Sequence, residues 1–100
     1  MVVIQVSARA KAETADLFQQ ILREVVAEAR RSAGCIRYDW FRSPDTEREV
    51  FIYGEFDSED DFARYRSGSV VRKIGEHLVP LLEARPAFKH FHETMLEQGS

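Results

Sequence analysis

The stretch Cys35-Ile36-Arg37-Tyr38-Asp39-Trp40-Phe41-Arg42, followed by Ser43-Pro44-Asp45-Thr46-Glu47 and then Glu49-Val50-Phe51-Ile52-Tyr53-Gly54-Glu55-Phe56, decides the fold. Two runs of β-branched and aromatic residues around a polar segment with a proline predict an antiparallel hairpin. A strand with one wetted face alternates apolar with polar residues, and these strands do not. In the first, Ile36, Tyr38 and Trp40 are expected to oppose Cys35 and Phe41. In the second, Val50, Ile52 and Phe56 oppose Phe51 and Tyr53. Val50, Phe51, Ile52 and Tyr53 cannot all be buried within one small subunit, so one sheet face is expected to pack against a second copy of the chain. Arg37 is expected to pair with Asp39 or Glu55 across the hairpin on that face.

Outward from the hairpin, the remaining elements complete a simple order. Met1 to Arg9 predicts a strand with Val2, Ile4 and Val6 on one face and Val3, Gln5 and Ser7 on the other. Ala12 to Arg31 predicts a helix, with Leu17, Ile21, Val25 and Ala29 as its apolar stripe and Phe18, Leu22 and Val26 beside it. Thr14 starts it, Asp16 and Arg30-Arg31 suit its two ends, and Gly34 stops it. Ser58-Glu59-Asp60-Asp61 predicts a capped short helix carrying Phe62 and Tyr65, which Ser67-Gly68-Ser69 interrupts. A further helix turns Val70 or Val71, Ile74, Leu78 and Leu81 inward and ends before Arg85-Pro86. Ala87 to Met95 is the last predicted strand, and Leu96 to Ser100 a frayed tail. Strand, helix, strand, strand, helix, strand is the order of an α+β, ferredoxin-like βαββαβ fold: a four-stranded antiparallel sheet with helices on one face. Residues 1–100 are expected to form a single domain with an ordered core over about 2–95.

The 100 residues carry 14 Lys and Arg against 17 Asp and Glu, for a formal charge of −3. Without a concentrated basic face, nucleic acid is not an expected partner. No apolar run reaches the roughly 18 residues of a membrane span, and the N-terminus lacks the pattern of a signal peptide, so no membrane is expected and the expected location is cytoplasmic. The single cysteine, Cys35, has no cysteine partner and is read as a small buried hydrophobe.

Motifs for nucleotide and serine-nucleophile chemistry are missing. The five glycines form no phosphate loop, and Ser67-Gly68-Ser69 has the wrong order for a nucleophile elbow. His90 and His92 share a strand face, but a metal site needs further ligands, so they read as surface histidines and no metal is expected. His77, beside Glu76 and one turn from Lys73, reads as a solvated flank. The aromatic residues are more informative, since Tyr38, Trp40, Phe51, Tyr53, Phe56, Phe62 and Tyr65 crowd between positions 38 and 65. Most are core; buried tyrosine hydroxyls and a tryptophan indole nonetheless need polar partners, and an apolar cavity with few polar groups is the usual form of a small-molecule site.

The segment Ala33-Gly34-Cys35-Ile36-Arg37-Tyr38-Asp39-Trp40-Phe41-Arg42, with Phe51-Ile52-Tyr53-Gly54-Glu55-Phe56 and Ser58-Glu59-Asp60-Asp61-Phe62 after it, resembles the antibiotic biosynthesis monooxygenase family of dimeric α+β barrel proteins. Its signature there is Pro-Gly-Cys-x-x-Tyr-x-x-Phe, and the likeness runs over residues 2 to 95. The resemblance implies a homodimer and a pocket between sheet and helices. It also implies a cofactor-independent oxygenase acting on a small aromatic, phenolic or quinone-type molecule; a related isomerase of a small oxo-compound and a non-catalytic binding or stress protein are the alternatives within and beside it. Phe56 stands where many relatives have Trp, and Tyr65 where many have His. The axial histidine of haem-degrading relatives falls nearest to Gly75, two residues before His77. The expected site is therefore Tyr65 and Trp40 as catalytic residues, with Gln5, Tyr53, Phe56 and Phe62 binding substrate, and no cofactor.

Overall fold

The computed structural model describes residues 1–92. The predicted end of the last strand at Met95 and the predicted tail lie outside the described residues. Four strands, β1 (Val2–Arg9), β2 (Cys35–Arg42), β3 (Glu49–Phe56) and β4 (Ala87–His92), pair antiparallel in the order β2-β3-β1-β4. Helices α1 (Ala15–Ala29), α2 (Glu59–Arg66) and α3 (Ser69–Lys73) complete the ferredoxin-like α+β fold.

Register fixes what each face carries. Val2 lies opposite Phe56 and His92, Ile4 opposite Gly54 and His90, and Val6 opposite Ile52 and Phe88. On the other side of β3, Tyr38 lies opposite Gly54 and Trp40 opposite Ile52. This face holds the core, with Phe18, Leu22, Val25, Val26 and Ala29 of α1 packed against it. Gly54 is glycine because a Cβ there would stand 2.9 Å from Ile4 Cγ1, so the pair Ile4 and Tyr38 closes over bare backbone.

Four expectations about the elements themselves are corrected. A bulge between Cys35 and Arg37 inserts Ile36 as an extra residue, so Cys35, not Ile36, packs against the core on the Tyr38 side, and Ile36 is exposed. The buried stripe of α1 is centred one residue later than expected: Phe18 and Leu22 are buried, while Leu17 is 48% exposed and Ile21 half-buried. Thr14 does not cap the helix; its hydroxyl donates to the Leu81 carbonyl at 2.8 Å and ties the helix start to the distant turn. The second helical stretch is not one helix, because α3 gives way to a π turn over Ile74–Leu78 and a 3₁₀ turn over Val79–Leu81. Pro80 explains this: it has no N–H and its ring collides with the carbonyl four residues back, so the chain widens ahead of it and the Val79 N–H reaches Ile74.

The face away from the helices carries Val3, Gln5 and Ser7 of β1, Phe51, Tyr53 and Glu55 of β3, Arg37, Asp39 and Phe41 of β2, and Phe91 and Lys89 of β4. Phe41, Phe51 and Phe91 are each about half exposed there. Arg37 pairs with Asp39 along its own strand (Nε to Oδ2, 2.6 Å) rather than across the hairpin.

Candidate functional site

The α2 helix begins where Ser58 Oγ accepts the Asp61 N–H at 3.1 Å, with Glu59, Asp60 and Asp61 at its positive end and Arg64 and Arg66 in its last turn. Three residues apart on its inner side, Phe62 and Tyr65 meet the sheet. Phe56 lies 5.9 Å from Phe62 and 4.7 Å from Tyr65 between ring centroids, and Tyr38 lies 5.8 Å from Tyr65. Within this layer the Tyr38 and Tyr65 hydroxyls are hydrogen-bonded at 2.6 Å.

Burial dominates the acid–base behaviour of that pair. It pushes both hydroxyls above the ordinary tyrosine range, and for Tyr65 the neighbouring Tyr38 adds to the rise. Both are therefore neutral at neutral pH. Tyr65 is suited to donate a hydrogen bond and not to take a proton. It also borders a hollow of about 220 Å³ between the Ser32-Ala33 turn and the α2–α3 junction, lined further by Arg64, Gly68, Ser69 and Val70. Arg64 is held there by Asp61.

Of the six expected site residues, Tyr65, Phe56 and Phe62 are thus brought together. Trp40 lies on the same sheet face, two residues along β2 from Tyr38, and packs half-buried against the core. Gln5 and Tyr53 do not join them. They are cross-strand partners on the opposite face, because strand alternation sends residue 5 away from Ile4 and residue 53 away from Ile52. There Gln5, Arg37, Phe41, Phe51 and Tyr53 line a groove of about 380 Å³, and Gln5, Ser7, Phe51, Ala87 and Lys89 line another of about 270 Å³. The Tyr53 hydroxyl donates to Glu55 at 2.6 Å, and the Arg37 guanidinium stands 5.5 Å from the Tyr53 ring centroid. Hydrogen bonding from Arg37, with Arg30 adding to it, holds the Asp39 carboxyl below its ordinary range.

The histidines divide similarly. His90 meets Phe62 at a tilt with centroids 5.3 Å apart, and His92 meets Glu59 at 2.8 Å, so both tie β4 to α2. His77 borders a cleft of about 450 Å³ between α1 and the π turn, with Glu24, Glu28, Arg31 and Lys73; Lys73 bonds Glu28 at 3.1 Å. Among the described residues, no group of three His, Cys, Asp or Glu is placed to hold a metal ion, and no helix is long and apolar enough to cross a membrane. Sequence reasoning missed Tyr38 as the partner of Tyr65. The signal was its place on the inner face of β2, but the contact spans 27 positions and no local pattern names it.

Comparison with known proteins places these features in a family context. Residues 1–94 match the profile of the antibiotic biosynthesis monooxygenase family. Among solved structures, one described as an antibiotic biosynthesis monooxygenase superposes with a TM-score of 0.86 at 14% identity, covering 94% of this chain and 99% of that one. A Nitrosomonas europaea protein classed with the same monooxygenases gives 0.85 at 17% identity over 94% and 99% of the two chains. A Shewanella oneidensis protein gives 0.82 at 23% identity over 92% and 89%. At these identities the structural likeness is one of fold. No curated protein sequence matches the chain.

Proposed function

Because the chain belongs to the antibiotic biosynthesis monooxygenase family, we propose that it is a homodimeric monooxygenase-type enzyme acting on a small phenol or quinol without metal or flavin. The observation that carries this reading is the neutral Tyr38–Tyr65 pair, set in an aromatic layer with Tyr65 bordering an open hollow. Such a site suits a flat, electron-rich ring whose oxygen accepts a hydrogen bond.

The chemistry closes on the substrate alone. The phenol loses its proton to water, and the phenolate passes one electron to dioxygen. The two radicals join at a hydrogen-bearing ring carbon para to the oxygen, the peroxide takes back the proton that water had accepted, and the hydroperoxide loses water to leave a quinone. One oxygen atom enters the ring, the other leaves as water, and the ring supplies the electrons. In this scheme Tyr65 donates to the substrate oxygen from the edge of the hollow, and Phe56 and Phe62, packed behind it, hold its ring in place. Gln5 and Tyr53 belong to the second copy's side of the sheet, where Phe41, Phe51 and Phe91 offer the apolar contact that an isologous dimer needs.

A panel of naphthols and hydroquinones in an oxygen electrode tests the proposal. The expected result with 1-naphthol is one dioxygen consumed per quinone formed, with one labelled oxygen atom in the product. No protein-dependent uptake with any member of the panel would overturn it. One observation favours a second reading: Tyr38, Phe56 and Phe62 are at most 1% exposed, so the layer is closed as it stands. Binding of the phenols without uptake would select a binding protein that performs no chemistry.

A further inference from the structure

The hydrogen atoms of the tyrosine pair assign a role to Tyr38. Each tyrosine hydroxyl carries one hydrogen and accepts at its lone pairs. With both groups neutral, their 2.6 Å contact uses one of the two hydrogens, and no other hydrogen bond joins either hydroxyl to the described residues. One O–H is therefore unspent inside an apolar layer, where an unmet donor costs about 1–3 kcal/mol. The two tyrosines are not equivalent: Tyr38 is sealed beneath the sheet–helix contact, while Tyr65 borders the hollow beside Ser32 and Gly68.

From this asymmetry we infer that Tyr38 is a positioning residue, donating its proton to the Tyr65 oxygen so that the Tyr65 O–H is left to bind an oxygen acceptor, a quinone carbonyl or a phenolate, entering from the hollow. A hydroxyl that accepts a hydrogen bond becomes a stronger donor, so Tyr38 polarises Tyr65 as well as fixing its direction. Tyr38 touches no ligand and acts only through Tyr65. The inference rests on the proposed function in one respect, that the ligand is seated at Tyr65, and it requires no oxygen chemistry.

Duroquinone, which has carbonyl acceptors and no unsubstituted ring carbon, is the probe, and durene, the same ring without carbonyls, is the reference. Affinities are measured under nitrogen for the wild type, Tyr38→Phe, Tyr65→Phe and the double variant, with far-UV circular dichroism to establish folding. Tyr65→Phe is expected to weaken duroquinone binding about tenfold, and Tyr38→Phe by a smaller factor, about three- to fivefold. The double variant is expected to bind no more weakly than Tyr65→Phe alone, and durene is expected to bind all four proteins equally. A Tyr38→Phe loss that persists undiminished in the Tyr65→Phe background, no Tyr38→Phe loss at all, or equal losses for durene would overturn the inference. Should Tyr38→Phe fail to fold, 3-fluorotyrosine at position 38, a stronger donor, is expected to tighten duroquinone binding; unchanged or weaker binding overturns the role. If the cycle holds while oxygen uptake is absent, the proposed reaction falls and the role of Tyr38 stands. If uptake is present and the cycle is additive, only the role falls.

Discussion

The two faces of the sheet are built from the same strands and finished in different ways. On the helix side, Val2, Ile4, Tyr38, Val50 and Phe56 are almost wholly buried, and the two tyrosine hydroxyls there are bonded to each other. On the far side, Phe41, Phe51 and Phe91 stand about half exposed among Arg37, Asp39, Glu55 and Lys89. The first face is completed by the chain itself. The second combines apolar rings with a charged rim, the composition of a surface that is completed by association. For a chain of 100 residues that division has an energetic side, since a domain this small buries a modest share of its surface alone.

The sharpest way to break this contrast is to truncate one aromatic on each face. Phe62→Ala is expected to lower unfolding free energy by about 3–5 kcal/mol, as for other buried phenylalanines, whereas Phe51→Ala is expected to cost a separated subunit under about 1 kcal/mol. Urea unfolding of both variants, at a dilution where any self-association is lost, compares them; equal losses would mean that the faces are not different in kind. Placing a charge on the open face is the next largest effect. Phe51→Asp is expected to weaken self-association by about 2–4 kcal/mol, the scale of an interface hot spot, and to sediment as a monomer at concentrations where the wild type is a dimer. A variant that remains dimeric would move the interface elsewhere.

A smaller effect tests how the chain enters the hairpin. Gly34 has a φ of +76°, the left-handed region, and a Cβ there would overlap Asp61 of α2. Gly34→Ala is expected to cost about 1–2 kcal/mol from the backbone alone, read as a lowered urea midpoint with unchanged slope. The smallest effect is a pH dependence. Tyr38 and Tyr65 both titrate above the ordinary tyrosine value of 10.0, because burial disfavours their anions. Their contribution to stability is whole below pH 10.0 and is lost as pH rises beyond it, since only the unfolded chain then releases those protons. The wild type is expected to lose stability more steeply above that pH than the Tyr38→Phe, Tyr65→Phe double variant. Parallel curves would show that the pair is not desolvated.

The fold was legible because alternation and helical spacing are local. The runs Cys35 to Arg42 and Glu49 to Phe56, the acidic cap before Phe62 and the surplus of apolar residues on both strand faces all signal their roles within a few positions. What escaped depended on distance or on a single inserted residue. The bulge at Ile36 exchanged the faces of Cys35 and Ile36, and no pattern of side chains announces such an insertion. Pro80 redirected the second helical stretch several residues ahead of itself. The candidate site was legible only as a grouping of side chains: Tyr65, Phe56 and Phe62 are neighbours, but Gln5 and Tyr53 obey a strand parity that places them on the other face. Tyr38 gained its meaning only from the hydroxyl opposite it.

The account turns on Tyr65 as the donor to the reacting oxygen, and oxygen consumption with 1-naphthol by the wild type and by Tyr65→Phe, each established as a folded dimer, tests it most directly. The predicted result is a rate in Tyr65→Phe at least tenfold below that of the wild type. Equal rates in the two proteins would contradict it.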